Sequence, residues 1–187
     1  MYDLHSILIQ LKKEDTPLHG VMVRCVRCFY QWLDPTLWEG SALFELWAQE
    51  LELIYGDLRQ RLSPNAKTDA GSLGDRFGFD TPPELPRLLQ SIQTFYSVLI
   101  KLIAWNTLRG ATPEPPLTEL LSGRAFVNRG IRNFCGDDWY IWPLDIWDPA
   151  LETQCEELRA CLKSFDTCPE GSTLSPDSLS RIYETVV

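Results

Sequence analysis

The stretch Ser91-Ile92-Gln93-Thr94-Phe95-Tyr96-Ser97-Val98-Leu99-Ile100-Lys101-Leu102-Ile103-Ala104-Trp105-Asn106 constrains the chain more than any other. Its apolar residues are too numerous for one face of a helix, so it reads as a long helix buried on most sides. Such a helix needs other helices around it. A single lysine stands in its aliphatic middle, with Leu99, Ile100, Leu102 and Ile103 beside it, and Ser97, Val98 and Trp105 one turn away bring no negative charge. Burying an unpartnered ammonium costs several kcal/mol. Lys101 therefore either reaches out to water along its own stem or meets a carboxylate from another segment, for which Asp137, Asp138 and Asp145 are the candidates.

Other helices are punctuated in the sequence. Asp15-Thr16-Pro17 supplies a capping residue and a first-turn proline, after which Leu18, Val21, Met22, Cys25, Cys28, Phe29, Trp32 and Leu33 recur at helical spacing until Asp34-Pro35. A second helix is expected from Ser41 to Leu62, and residues 65–81, with Gly71, Gly74 and Gly78, read as a loop with a short helical turn near Leu73 to Phe77. Prolines 82, 83 and 86 fit only near a helix start, so the long helix begins within Pro83 to Pro86 and runs to about Arg109. An extended connector, Thr112 to Pro116, leads to a short helix, Leu117 to Leu121. Residues 123–143 keep neither helical nor strand periodicity, which predicts short helix and packed loop. Asp148-Pro149 and Ser175-Pro176 open the last two helices. The expectation is a mostly α-helical, irregular multi-helix bundle of about seven helices, with residues 1–187 forming a single domain.

Charge and composition exclude several classes. With 17 basic and 26 acidic residues the formal charge is -9, which opposes binding to phosphate, so a dedicated DNA-binding module is not expected. No stretch reaches the about 18 apolar residues of a membrane span, and the N-terminus lacks the pattern of a signal peptide, which points to a cytoplasmic protein without a membrane partner. Six cysteines are then expected to be reduced.

Chemistry-bearing motifs are sparse. Cys25-Val26-Arg27-Cys28 falls mid-helix on an apolar face and lacks the second ligand pair that structural zinc requires. Only His5 and His19 are available to activate a nucleophile. Asp137, Asp138, Asp145 and Asp148 would be magnesium ligands only in a context the sequence does not supply, and Asp148 reads as a helix cap. No catalytic, cofactor-binding or metal-binding residue is assigned. The candidate structural or interface residues are Lys101, Arg129, Arg132, Asn133 and Asp138. Arg129, Arg132 and Asn133 lie beside Phe126 and Phe134, either to satisfy loop carbonyls or to face a partner domain or a phosphate.

The wording of residues 91–106, with His19-Gly20-Val21, Phe29-Tyr30-Gln31-Trp32-Leu33 and Gly130-Ile131-Arg132-Asn133-Phe134, resembles the helical region that precedes the catalytic domain in large bacterial N6-adenine DNA methyltransferases of restriction and phage-defence systems. The resemblance runs from about His19 to Val187. It implies a non-catalytic scaffold whose partner is the methyltransferase domain of the same chain, with S-adenosylmethionine bound by that domain and DNA met only by the full-length protein. The family's glycine-rich cofactor turn and its Asn-Pro-Pro-aromatic motif are not in these residues: the double prolines stand in Thr81-Pro82-Pro83-Glu84 and Glu114-Pro115-Pro116-Leu117. Because the chain stops where the family continues into its catalytic domain, it reads as a piece of a larger enzyme. An independent helical interaction module and a DNA-contacting clamp that works with a catalytic domain are the alternatives.

Overall fold

A computed structural model describes residues 4–33, 44–49, 73–108, 113–132, 134–135 and 140–165. The protein is mostly α-helical, and no strand occurs among the described residues. Six helices carry the architecture: α1 (Leu4–Lys12), α2 (Pro17–Trp32), α3 (Leu85–Leu108), α4 (Leu117–Leu121), α5 (Arg124–Val127) and α6 (Pro149–Lys163), with a 3-10 turn at Trp142–Leu144. Residues 44–49 and 73–76 are also helical. The rest of the helix expected over 41–62, the helix expected after Ser175, and Cys168 lie outside the described residues.

Local chemistry accounts for the helix starts. The Thr16 hydroxyl accepts from the His19 backbone N–H at 3.2 Å and Pro17 follows at the first helical position, so two of the donors that a helix N-terminus leaves open are dealt with. Asp148 does the same for α6, accepting from Leu151 N–H at 2.8 Å, again with proline next. Leu18, Val21, Met22, Cys25, Val26 and Phe29 then form one buried face of α2, and Leu151, Cys155, Leu158 and Leu162 the buried face of α6. These two faces meet, and α2 also packs along α3, while α1 lies on α2.

The central helix α3 starts at Leu85, inside the expected window, and buries residues on nearly every side, from Leu88 and Ile92 to Ile103, Trp105 and Asn106. By length and mean hydropathy, 1.2 over an 18-residue window, it is apolar enough to cross a bilayer, which corrects the expectation that no stretch is long and apolar enough to do so. Of that window 67% is buried inside the protein, so its apolar surface is used by packing against other helices. Fully buried Leu, Ile and Phe side chains contribute about 1.5–3 kcal/mol each, and Leu88, Ile92, Phe95, Leu99 and Ile103 are all at 0% exposure. The described residues of the irregular region form α5, turns and the 3-10 turn, in line with its lack of periodicity. It closes the core with Trp142, whose ring meets Phe29 edge-on at 5.9 Å and whose indole N–H donates to Thr94 Oγ1 at 2.9 Å.

Candidate functional site

Three of the buried polar side chains lie along one seam of α3. Gln90, Thr94 and Lys101 are buried, with Gln93 and Ser97 half-buried between them. Thr94 donates to the Gln90 carbonyl at 2.8 Å while accepting from Trp142, and Tyr140 OH donates to Gln93 Oε1 at 2.6 Å. The seam is thus where the irregular region is fastened to the central helix.

Lys101 ends it. The residue is 3% exposed, and Nζ donates to the backbone carbonyl of Leu121 at 2.9 Å. Leu121 is the last residue of α4, where helix carbonyls lack intrahelical donors and the dipole favours a cation. The snorkelling alternative is therefore corrected: the ammonium stays inside and meets the negative end of a short helix. Asp145 is exposed, and Asp137 and Asp138 lie outside the described residues.

The same device recurs at other helix ends. His19, on α2, is buried and its Nδ1 donates to Leu11 O, near the end of α1, at 2.9 Å. Arg87, on α3, donates from Nε to Tyr30 O at 2.6 Å and from Nη2 to Gln31 O at 3.3 Å, closing the end of α2, and its guanidinium lies 4.1 Å from the Tyr30 ring centre. Arg129 donates from Nη1 to Leu108 O at 2.6 Å, at the end of α3, with its guanidinium 5.4 Å from the Trp105 ring centre. Four helix C-termini are thus closed by cationic or ring N–H donors from other segments. A further clamp holds the connector: Arg159, buried on α6, donates to Pro115 O at 3.2 Å, and Lys163 reaches Glu114 at 2.7 Å.

Lys101 and Arg129 thus serve different helix ends, joined through α4 and α5. Of the two uses weighed for Arg129, it has the first, satisfying a carbonyl. Arg132 is exposed, and Asn133 and Asp138 lie outside the described residues. Arg87 and Arg159 were not singled out from sequence, and His19, weighed there as a possible activator of a nucleophile, instead closes a helix end.

The turn between α4 and α5 depends on Gly123, at φ +79, where a Cβ would come within 2.1 Å of Phe134 O. Phe126 fills the space behind it, 5.8 Å from Trp105 and 4.4 Å from Phe134 between ring centres.

The thiols are placed for packing. Cys25 is buried in mid-α2 with its thiol 3.5 Å from Gln154 O, and burial, with Cys155 and Cys28 close by, pushes its pKa well above the ordinary value. Burial raises Cys155 to about 12. Burial, then Asp148, raises half-buried Cys28 to about 11. Thiolates, the reactive and metal-binding form, are therefore scarce at neutral pH. No group of three His, Cys, Asp or Glu side chains among the described residues is placed to hold a metal. Beside Lys101 a cavity of about 10 Å³, lined by Ser97, Val98, Leu121, Tyr140, Ile141, Pro143 and Leu144, has the size of a single water site. The arrangement can join helices, and the thiols of Cys25, Cys28 and Cys155 are held in the protonated, unreactive form.

Comparison of the chain with protein-family models, with curated proteins and with solved structures finds no match.

Proposed function

We propose that this chain is a non-catalytic helical scaffold standing beside the catalytic domain of a cytoplasmic, site-specific N6-adenine DNA methyltransferase of the restriction or phage-defence kind. One observation carries the reading. The segments whose wording resembles that family's helical region are also the segments that join the helices: His19 closes α1, Tyr30 and Gln31 receive Arg87, Phe29 meets Trp142, Lys101 closes α4, and Phe134 packs on Phe126. A likeness concentrated in residues that shape a fold, with none in residues that perform a reaction, suits a supporting region. S-adenosylmethionine is then bound by the neighbouring domain, and DNA is met only by the whole protein.

Two experiments test this. The gene read past the codon for Val187 should encode a glycine-rich cofactor turn followed by Asn-Pro-Pro-Tyr or Asn-Pro-Pro-Phe; a catalytic domain of another chemistry there would overturn the proposal. Calorimetry of the chain with S-adenosylmethionine should give no saturable heat, and one-to-one binding at micromolar concentration would move the cofactor site into these residues. The second reading, an independent interaction module, is favoured by the exposed aliphatic side chains of Leu108 and Val127 and the exposed Arg124 and Arg132.

A further inference from the structure

We propose that the arginine-bearing turn, residues 124–132, together with the end of α3, is a docking surface for an acidic, aliphatic protein segment. On a chain with 26 acidic residues, no Asp or Glu occurs from Leu120 to Gly136, whereas Arg124, Arg129 and Arg132 fall within it. Arg129 is engaged with Leu108 O and Trp105. Arg124 and Arg132 are exposed and make no hydrogen bond or ion pair among the described residues. Between them stands Val127, 43% exposed, and Arg129 ties the turn to Leu108, 38% exposed. These are two of the four large exposed apolar side chains among the described residues.

The surface is already ordered. Gly123 is wedged against Phe134 O, Phe126 is enclosed by two rings, and Ile131 N–H returns to Phe126 O at 3.1 Å. A partner therefore meets a fixed shape and loses little free energy to ordering it. The occupant's chemistry follows from complementarity: carboxylates for the two unpaired guanidinium groups, and an aliphatic side chain to cover Val127 and Leu108. A nucleic acid fits less well, because a chain of charge -9 repels a polyanion and phosphates leave the aliphatic pair uncovered. The inference goes beyond the scaffold reading and holds whether the segment belongs to a methyltransferase domain or to another protein.

The test is a titration of the ¹⁵N-labelled chain at near-physiological ionic strength with a synthetic peptide of alternating Glu and Leu, a short duplex DNA, and by simple dilution. The expected result is saturable movement of the amides of residues 124–132 and of the Trp105 indole with the peptide alone. An Arg124→Glu/Arg132→Glu variant, with its unfolding midpoint retained, should bind the peptide about tenfold more weakly, since two attractions become repulsions. Several results would overturn the proposal: no response to the peptide, equal binding by the variant, the same response to duplex DNA at lower concentration, or movement on dilution, which would point to a second copy of the chain.

Discussion

Lys101→Met removes one donor while keeping the length and most of the apolar stem of the side chain. What it abandons is the carbonyl of Leu121, now 2.9 Å from an ammonium and, with Lys101 3% exposed and Leu121 4% exposed, closed off from bulk solvent. A buried acceptor left without its donor costs about 1–3 kcal/mol, and a bond to a charged group contributes about 1.5–3 kcal/mol. Acting the other way, methionine escapes the desolvation of a buried ammonium, and replacing buried charges by apolar groups is often neutral or stabilising. The decision turns on what stays behind. Here the partner is a backbone carbonyl at a helix end, which no side-chain substitution removes, and Lys101 engages further groups besides it. The balance falls toward destabilisation by about 2 kcal/mol, which for a chain of this size lowers the thermal midpoint by about 4–8 °C. Thermal unfolding reads the global effect, and hydrogen exchange reads its location: amides of α4 and of the Gly123 turn should lose protection first. A midpoint unchanged or raised, with α4 still protected, would refute the claim that Lys101 holds that helix end.

Three further perturbations follow from the same geometry. Gly123→Ala places a Cβ about 2.1 Å from Phe134 O and adds left-handed strain of about 1–2 kcal/mol, whereas Gly130→Ala, at φ +78 with nothing within 4 Å, meets the strain alone; denaturant midpoints should place the first variant clearly below the second. Trp142→Phe loses a buried bond to Thr94 worth about 1 kcal/mol, while Trp105 Nε1 has no acceptor, so Trp105→Phe should be the milder of the two in the same assay. The raised thiols give a pH dependence: Cys28 at about 11 and Cys155 at about 12 in the fold lose their protons at about 8.5 when unfolded. Their contribution is complete below about pH 8.5 and is lost as pH rises toward those folded values. Unfolding midpoints measured on that alkaline limb should fall less steeply in Cys155→Ala, after subtraction of its offset at neutral pH.

Where the main helices stop was legible in the sequence, at Asp34-Pro35, near Arg109 and at Leu121; what closes their beginnings was legible too, what closes their ends was not, and the reason is the reach of the groups involved. An N-terminus is closed by a side chain at most three residues away. Thr16 before Pro17 and Asp148 before Pro149 therefore announce α2 and α6 as plainly in one dimension as in three. A C-terminus exposes carbonyls, which need donors, and in this fold those donors come from elsewhere: His19 for Leu11 lies within eight residues, but Lys101 for Leu121, Arg129 for Leu108 and Arg87 for Tyr30 lie 20, 21 and 57 residues away. No periodicity or short motif encodes such a partner. The aliphatic surroundings of Lys101 show that something must meet an ammonium there, and the natural first thought is a carboxylate, because charge is written in the sequence while an open backbone carbonyl is not.

That asymmetry also bears on how a helical scaffold of this kind holds its shape. Apolar burial along α2, α3 and α6 drives the helices together but tolerates sliding, since one turn of Leu and Ile resembles the next. The cationic donors do not tolerate it: each must sit at a helix end within about 3 Å of a particular carbonyl. Moving α3 by one turn, 5.4 Å along its axis, would separate Lys101 from Leu121 and Arg87 from Tyr30 at once. The register of the central helix is therefore set at two points, near its start by Arg87 and past its middle by Lys101, while Arg129 seals its end. The arginine turn at residues 124–132 is carried on this fixed frame, since Lys101 holds α4 and the Gly123 turn leads from α4 directly into Arg124. Loss of Lys101 should therefore loosen the proposed docking surface without touching any residue in it.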